Sequence, residues 1–221
     1  MKKLCAATLI MFALAEPGTS QTINWRSLEE NQRNIIQLNF GYDYGMTAQA
    51  CYGHMFTFIR PVVVGVDFSL PMGEHLVDDF KIKIGAQFEV VEMGGFSATL
   101  RISSIFRRYE NALVRIVSFG SDLGLVAGYY RPTWHAAGEF GFDKSIVSHL
   151  KHSDIMRGYF PQIRDGWYIP SGGHFYYGIQ AGKTLGQSMH LTLRIGATNV
   201  QDGDEQEVIP YYLQLGLGMR F

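Results

Sequence analysis

Cysteine is nearly missing from this chain. The 221 residues hold two, Cys5 and Cys51, and Cys5 falls in an N-terminal stretch that reads as a leader. One remaining cysteine excludes an internal disulfide and a thiolate metal cluster. Cys51 reads as a small apolar residue within a strand. An excess of one charge is missing as well: 19 Lys and Arg stand against 20 Asp and Glu, a net charge of −1. No basic stripe of the kind nucleic-acid binding uses is present. Long hydrophobic runs are the third absence. Beyond the first fifteen residues no apolar run approaches the roughly twenty needed for a membrane helix, although 47% of the chain is hydrophobic.

The first residues carry Lys2 and Lys3 ahead of an apolar run from Leu4 to Leu14 that is too short for an anchor. Ala13-Leu14-Ala15 has the small-x-small form of a cleavage site, and a later cut near Ser20 also fits. These features mark a secretory signal peptide over 1–20, and on the patterning described next the remainder is expected to divide into a periplasmic N-terminal segment over 21–33 and a β-barrel over 34–221.

What the sequence does have is alternation. In Ile36 to Tyr44 the residues Ile36, Leu38, Phe40, Tyr42 and Tyr44 share one face, and Gln37, Asn39, Gly41 and Asp43 share the other. Period two marks a strand with two unlike faces. The pattern recurs through about ten segments, each of about nine to eleven residues, the length a tilted strand needs to cross a bilayer. Short connections are expected near Phe58 to Pro61, Glu92 to Gly95, Arg131 to Thr133 and Lys183 to Gln187. Long ones are expected at Pro71 to Asp78, Ser104 to Phe119, Lys144 to Gly173 and Asn199 to Glu207. Alternation of short periplasmic turns with long external loops has this rhythm.

A soluble barrel also alternates, but its polar face is the solvated one. Here the polar face is rich in glycine, including Gly41, Gly65, Gly85, Gly124, Gly141, Gly178, Gly196 and Gly216. Glycine weakens an exposed strand, whereas inside a narrow barrel it makes room for larger neighbours. The apolar face carries aromatics near strand ends, among them Tyr42, Trp134, Phe175, Tyr211 and Phe221, as interfacial girdles do. The expected fold is all-β: a transmembrane antiparallel up-and-down β-barrel of about ten strands. One long outer loop has room for a short helix.

The chain ends Tyr211-Tyr212-Leu213-Gln214-Leu215-Gly216-Leu217-Gly218-Met219-Arg220-Phe221, apolar at every second position back from a terminal Phe. This resembles the C-terminal recognition strand of bacterial outer-membrane barrels, and the glycine-rich layout resembles the small outer-membrane barrels of the Bacteroidetes group. The resemblance implies export through the inner membrane, residence among outer-membrane lipid and recognition of the strand ending at Phe221 by the barrel assembly machinery. It brings no catalytic residues and no cofactor.

Three places can carry chemistry. The inward face of the barrel is expected to hold Lys81, Lys83, Gln87, Glu89, Arg101, Asp122, Glu139, His190, Arg194, Gln214 and Arg220, a mixture of signs suited to a paired lumen network. An eight-stranded barrel is just filled by side chains and ten strands add little room, so a wide pore is excluded while a narrow channel for small solutes is the open alternative. The Lys144–Gly173 loop is expected to hold a short helix, capped by Asp143 or Ser145, that passes through Ile146, Val147 and Leu150. On it His149 and His152 would share a face, with Asp154 or Asp165 as a further metal ligand. Ser153, beside His152 and with Glu139, supplies the residue types of a rim-located lipid hydrolase, although the order departs from that of known outer-membrane deacylases. Tyr159, Phe160, Trp167 and Tyr168 are the expected ligand or partner contacts of a barrel of structural or binding character.

Overall fold

The computed structural model describes residues 23–27, 32–42, 45–58, 60–72, 78–170, 172–201 and 210–221. The expected leader over 1–20, and Asp43 and Tyr44 of the expected first strand, lie outside the described residues. A 3-10 turn (Trp25–Ser27) precedes β1 (Asn34–Tyr42), β2 (Met46–Thr57), β3 (Pro61–Pro71), β4 (Asp79–Met93), β5 (Phe96–Glu110), β6 (Val114–Tyr130) and β7 (Trp134–His152). A short helix α1 (Asp154–Tyr159) and a three-residue strand β8 (Gly166–Tyr168) lead to β9 (His174–Leu185), β10 (Met189–Val200) and β11 (Tyr211–Arg220). Each strand from β2 to β7 pairs with its predecessor, β9, β10 and β11 pair in turn, and the ring closes through β1–β11 and β7–β9. Every pairing is antiparallel. Ten strands thus form a closed transmembrane-type barrel, and β8 lies along β7 beyond the point where β9 stops.

The alternation decides which side faces what. Leu213, Leu215, Leu217 and Met219 of β11 point outward at 45–51% exposure, while Tyr212, Gln214 and Arg220 between them are buried. An apolar exterior around a polar interior is the inverse of a soluble protein and fits a hydrocarbon solvent. Two aromatic belts bound this band. At the end away from the termini, Phe68, Phe80, Phe106, Phe119 and Trp167 form a chain of ring contacts with centroids 5.2–6.3 Å apart. At the end nearer the termini stand Phe56 with Phe58 and Tyr129 with Trp134. On β5 the two belts are marked by Phe96 and Phe106. That separation corresponds to roughly 33 Å along the strand and about 25 Å along the axis at the usual tilt, the height of a membrane-spanning band.

The inward glycines have specific occupants. Gly124 and Gly141 are register partners, and a Cβ on either would strike the ring or hydroxyl of Tyr176. Gly178 and Gly196 are partners on the next pair of strands, and both lie under the Tyr212 hydroxyl. Two tyrosines therefore lie across the lumen on floors made by glycine pairs. The tight β4–β5 turn uses Gly94 and Gly95 for another reason, their φ values of 59° and 99°, which side chains disfavour.

The connections nearer the termini fall where the sequence predicts. Two of the expected long loops do not. Ser104 to Phe119 is not a loop: β5 continues to Glu110 and β6 begins at Val114, closed by Asn111, whose Oδ1 accepts from the Leu113 and Val114 amides at 2.9 Å each. Lys144 to His152 likewise belongs to β7, so the outer loop begins only at Ser153. The reason is a change of solvent. Beyond the aromatic belt Val114, Ile116 and Leu150 turn inward as a buried cluster, while Arg108, Arg115 and Lys151 turn outward, and a bulge between Phe119 and Gly120 shifts the register. The hydrophobic phase inverts, so the strands lose the pattern that marks them within the band.

The N-terminal segment also does more than lead into the barrel. Trp25 and Ile23 pack inside the barrel end against Ile35, Met55 and Val63, and Trp25 Nε1 donates to Thr99 Oγ1 at 2.8 Å.

Replacing Gly141 by Leu is expected to displace Tyr176 and destabilise the barrel by about 1–3 kcal/mol. The urea midpoint of the refolded protein in micelles measures this, and an unchanged midpoint would contradict the packing of Tyr176 on the glycine pair.

Candidate functional site: a filled lumen and a projecting flap

Every residue expected in the lumen projects inward, and all but the half-buried Gln87 are buried. Glu139 on β7 is the centre. Its Oε1 accepts from Arg194 Nε at 2.5 Å and from the Tyr212 hydroxyl at 2.6 Å, and its Oε2 from Arg101 Nη2 at 3.4 Å. The Arg194 guanidinium lies 4.2 Å from the Tyr212 ring centroid and donates through Nη1 to Gln214 Oε1 at 3.2 Å. A second centre, Asp122, accepts from Lys83 Nζ at 3.0 Å and from the Tyr176 hydroxyl at 2.7 Å. Arg101 reaches that same hydroxyl at 3.4 Å and joins the two centres. Across the lumen Gln37, Asn39 and Gln49 bond in series at 2.9 Å, and Gln37 reaches Thr192 Oγ1 at 3.3 Å. Gln87 is the register partner of Arg101, as the β4–β5 hairpin implies. Glu89 accepts from Ser97, Lys81 is buried on β4, and the His190 ring lies over Gly218.

The end nearer the termini is closed separately. Arg220 Nη1 donates to the backbone oxygen of Ser27 and to Ser27 Oγ. Asn24 Nδ2 donates to Arg131 O at 2.9 Å, and Arg26 pairs with Glu92 at 3.0 Å. Between this tethered plug and the charge network remains a cavity of about 50 Å³ lined by Cys51, Asp67, Lys83, Gln87, Arg101 and Asp122 among others. It has room for a few water molecules.

At the far end β5, β6 and β7 rise past the end of the β7–β9 pairing as a three-stranded flap, extended by β8. Its inner face carries a bidentate Arg107–Asp79 pair at 3.1 and 3.2 Å, Ser118 and Ser148 hydroxyls 2.8 Å apart, and His174 Nδ1 3.2 Å from Asp143 Oδ1. The segment after β7 folds back as a strap. Ser153 is the N-cap of α1, its Oγ accepting from the Met156 amide at 3.3 Å. Asp165 Oδ1 receives the backbone amide and the Nδ1 of His152, both at 2.9 Å, while Arg157 Nη2 reaches Asp165 Oδ2 at 3.2 Å.

These positions correct several expectations. The helix starts at Asp154, not near Asp143 or Ser145. His149 and His152 lie on a strand with odd spacing, so they face opposite sides: His149 stands edge-on to Trp167 at 5.0 Å outside, and His152 is buried inside. They share no face with each other or with Asp154, which is exposed. Among the described residues no group of three His, Cys, Asp or Glu could hold a metal. Ser153 and His152 are adjacent at the rim, but Glu139 is thirteen residues down β7, roughly 40 Å away along the strand, inside the band. Trp167 belongs to the outer aromatic belt. Tyr159 is exposed on the strap, Phe160 is half-buried at the helix C-cap, and the Tyr168 hydroxyl donates to Arg164 O at 2.7 Å. Sequence reasoning missed Tyr176 and Tyr212 as network members, although both stand in register with the inward glycines. It missed the plug, whose signal was Ile23 and Trp25 in a mostly polar segment.

The sequence matches no protein-family model and no curated protein. Its fold defines the class of closed, ten-stranded antiparallel barrels. It is similar in structure to an outer membrane channel from Pseudomonas putida F1, with 9% identity, a TM-score of 0.56, and coverage of 91% of this chain and 100% of that one. It is also similar to the outer membrane protease OmpT from Escherichia coli, with 8% identity, a TM-score of 0.54, and coverage of 92% and 100%. At such identity the likeness is one of fold.

Two outcomes follow from the geometry. Glu139→Ala leaves Arg101 and Arg194 without their shared carboxylate and is expected to cost about 3–5 kcal/mol of barrel stability, read as a lowered urea midpoint. Asp165 is held below the ordinary carboxylate range by the His152 amide, the His152 ring and Arg157. A carboxyl depressed in the folded state contributes stability above its unfolded pKa and loses it as pH falls through its folded one. Amides of residues 152–168 are therefore expected to keep their hydrogen-exchange protection at neutral pH and lose it below about pH 4. Asp165→Asn should abolish that pH dependence.

Proposed function

We propose that this chain is an outer-membrane barrel of structural or binding character, closed to solutes, which uses the membrane-spanning part as a pedestal for the flap and strap. The observation that carries this reading is the lumen. Side chains of β4, β5, β6, β7, β9, β10 and β11 meet across it in one bonded network, and the Trp25 turn fills one end. A conducting path needs a continuous aqueous column, and the cavity between the plug and the network, about 50 Å³, holds a few water molecules rather than such a column. On this reading the leader takes the chain through the inner membrane, the assembly machinery recognises β11 and its terminal Phe221, and outer-membrane lipid surrounds the finished barrel. The end carrying the termini faces the periplasm, and the flap, with Tyr159 and Phe160 on its strap, faces outside.

The two structural neighbours are an outer membrane channel and an outer membrane protease. The filled lumen argues against the first activity here. The arrangement of Ser153 as a helix cap, with Glu139 far down the barrel, leaves the rim-hydrolase reading without an assembled triad.

Planar lipid bilayers test the proposal. The refolded protein is expected to insert without a steady ohmic current, and to remain silent when residues 23–27 are deleted because the Glu139 network still fills the lumen. A stable single-channel conductance from the wild-type chain would overturn it.

A further inference from the structure

The outer face of the flap is layered by register. Phe106 and Phe119 are partners in the aromatic belt. Arg108, Val117, His149 and Trp167 form the next outward row, and Glu110, Arg115 and Lys151 the row beyond, side by side on three adjacent strands. Arg108 pairs with Glu110 at 2.5 Å, each about a third exposed. The Glu110 carboxyl is held low first by its hydrogen bond from Arg108, and Arg115 and Lys151 of the same register row add to that effect. Three cations and one acid leave a net charge of about +2 on a patch directly beyond the apolar belt. Its neighbours in the membrane are lipid headgroups.

From this juxtaposition of Arg108, Arg115 and Lys151 with the Phe106–Phe119 belt, we propose that the outer face of the flap binds the phosphate of a phosphorylated lipid headgroup. The inference rests on the membrane reading above and names the lipid chemistry the barrel would select. The belt receives the acyl chains, and the guanidinium and ammonium groups reach the phosphate one to two rows further out. Glu110 holds Arg108 in place but opposes the ligand charge. Its neutralisation therefore strengthens binding, whereas a purely structural ion pair would only lose stability.

The full refolded chain in non-ionic micelles is titrated with a bis-phosphorylated glucosamine-disaccharide lipid and with its dephosphorylated form, and retention is read by native mass spectrometry. The phosphorylated lipid is expected to bind about tenfold more tightly. Arg115→Gln and Lys151→Gln should each weaken it about fivefold, and Glu110→Gln should tighten it. Millimolar inorganic phosphate should not compete. Equal retention of the two lipids, or variants that bind like the wild type, would overturn the site. Competition by micromolar phosphate would overturn its assignment to lipid. A gel-mobility shift on boiling checks each barrel in parallel. A wild-type chain without that shift fails the membrane reading itself, whereas a folded barrel indifferent to phosphate fails only this site.

Discussion

The Glu139 carboxylate lies between two guanidinium groups and a tyrosine hydroxyl in a space with room for little water. Burying such charges is costly, and each is tolerated only because the others are present. This constraint organises the interior. Arg194 and Arg101 need Glu139, Lys83 needs Asp122, and Tyr176 and Tyr212 must lie flat enough to reach both carboxylates. They can do so only because Gly124, Gly141, Gly178 and Gly196 provide no side chains beneath them. The glycine content and the lumen charges are one design: the first makes the floor on which the second can be neutralised.

The same logic explains how much of the fold the sequence discloses. Within the apolar band each strand faces hydrocarbon on one side and the lumen on the other, so period two is unmistakable and the approximate strand number and the facing of each residue are legible. Past Phe119 the outside is no longer hydrocarbon. Val114, Ile116 and Leu150 move inward and Arg115 and Lys151 outward. An alternation read for apolar-outward residues then stops, although the strands do not, and a bulge adds a phase error. The misplaced helix has the same origin: Ile146, Val147 and Leu150 suggest a helical face only when their strand phase goes unrecognised.

The candidate sites were legible in a different proportion. Charged residues at inward positions had to pair, so the lumen set could be read before any partner was known. Which residue paired with which could not, apart from the hairpin neighbours Gln87 and Arg101, because Glu139 with Arg194 and Asp122 with Tyr176 join strands distant in sequence. The plug was illegible for a related reason. Trp25 finds Thr99 only after the barrel has closed around it.

A filled interior and a projecting edge also imply each other. With the lumen occupied by paired charge and one end stoppered, the surface that projects furthest is the flap, where strands continue past the belt without hydrocarbon to constrain their outer face. There the chain places cations outward instead of the apolar residues that a uniform barrel would repeat. It spends further residues on a strap tied back through Asp165 to His152 and Arg157. Neither feature is needed to hold ten strands in a membrane. The extra structure lies beyond the aromatic belt, where on the proposed reading headgroups and solvent meet.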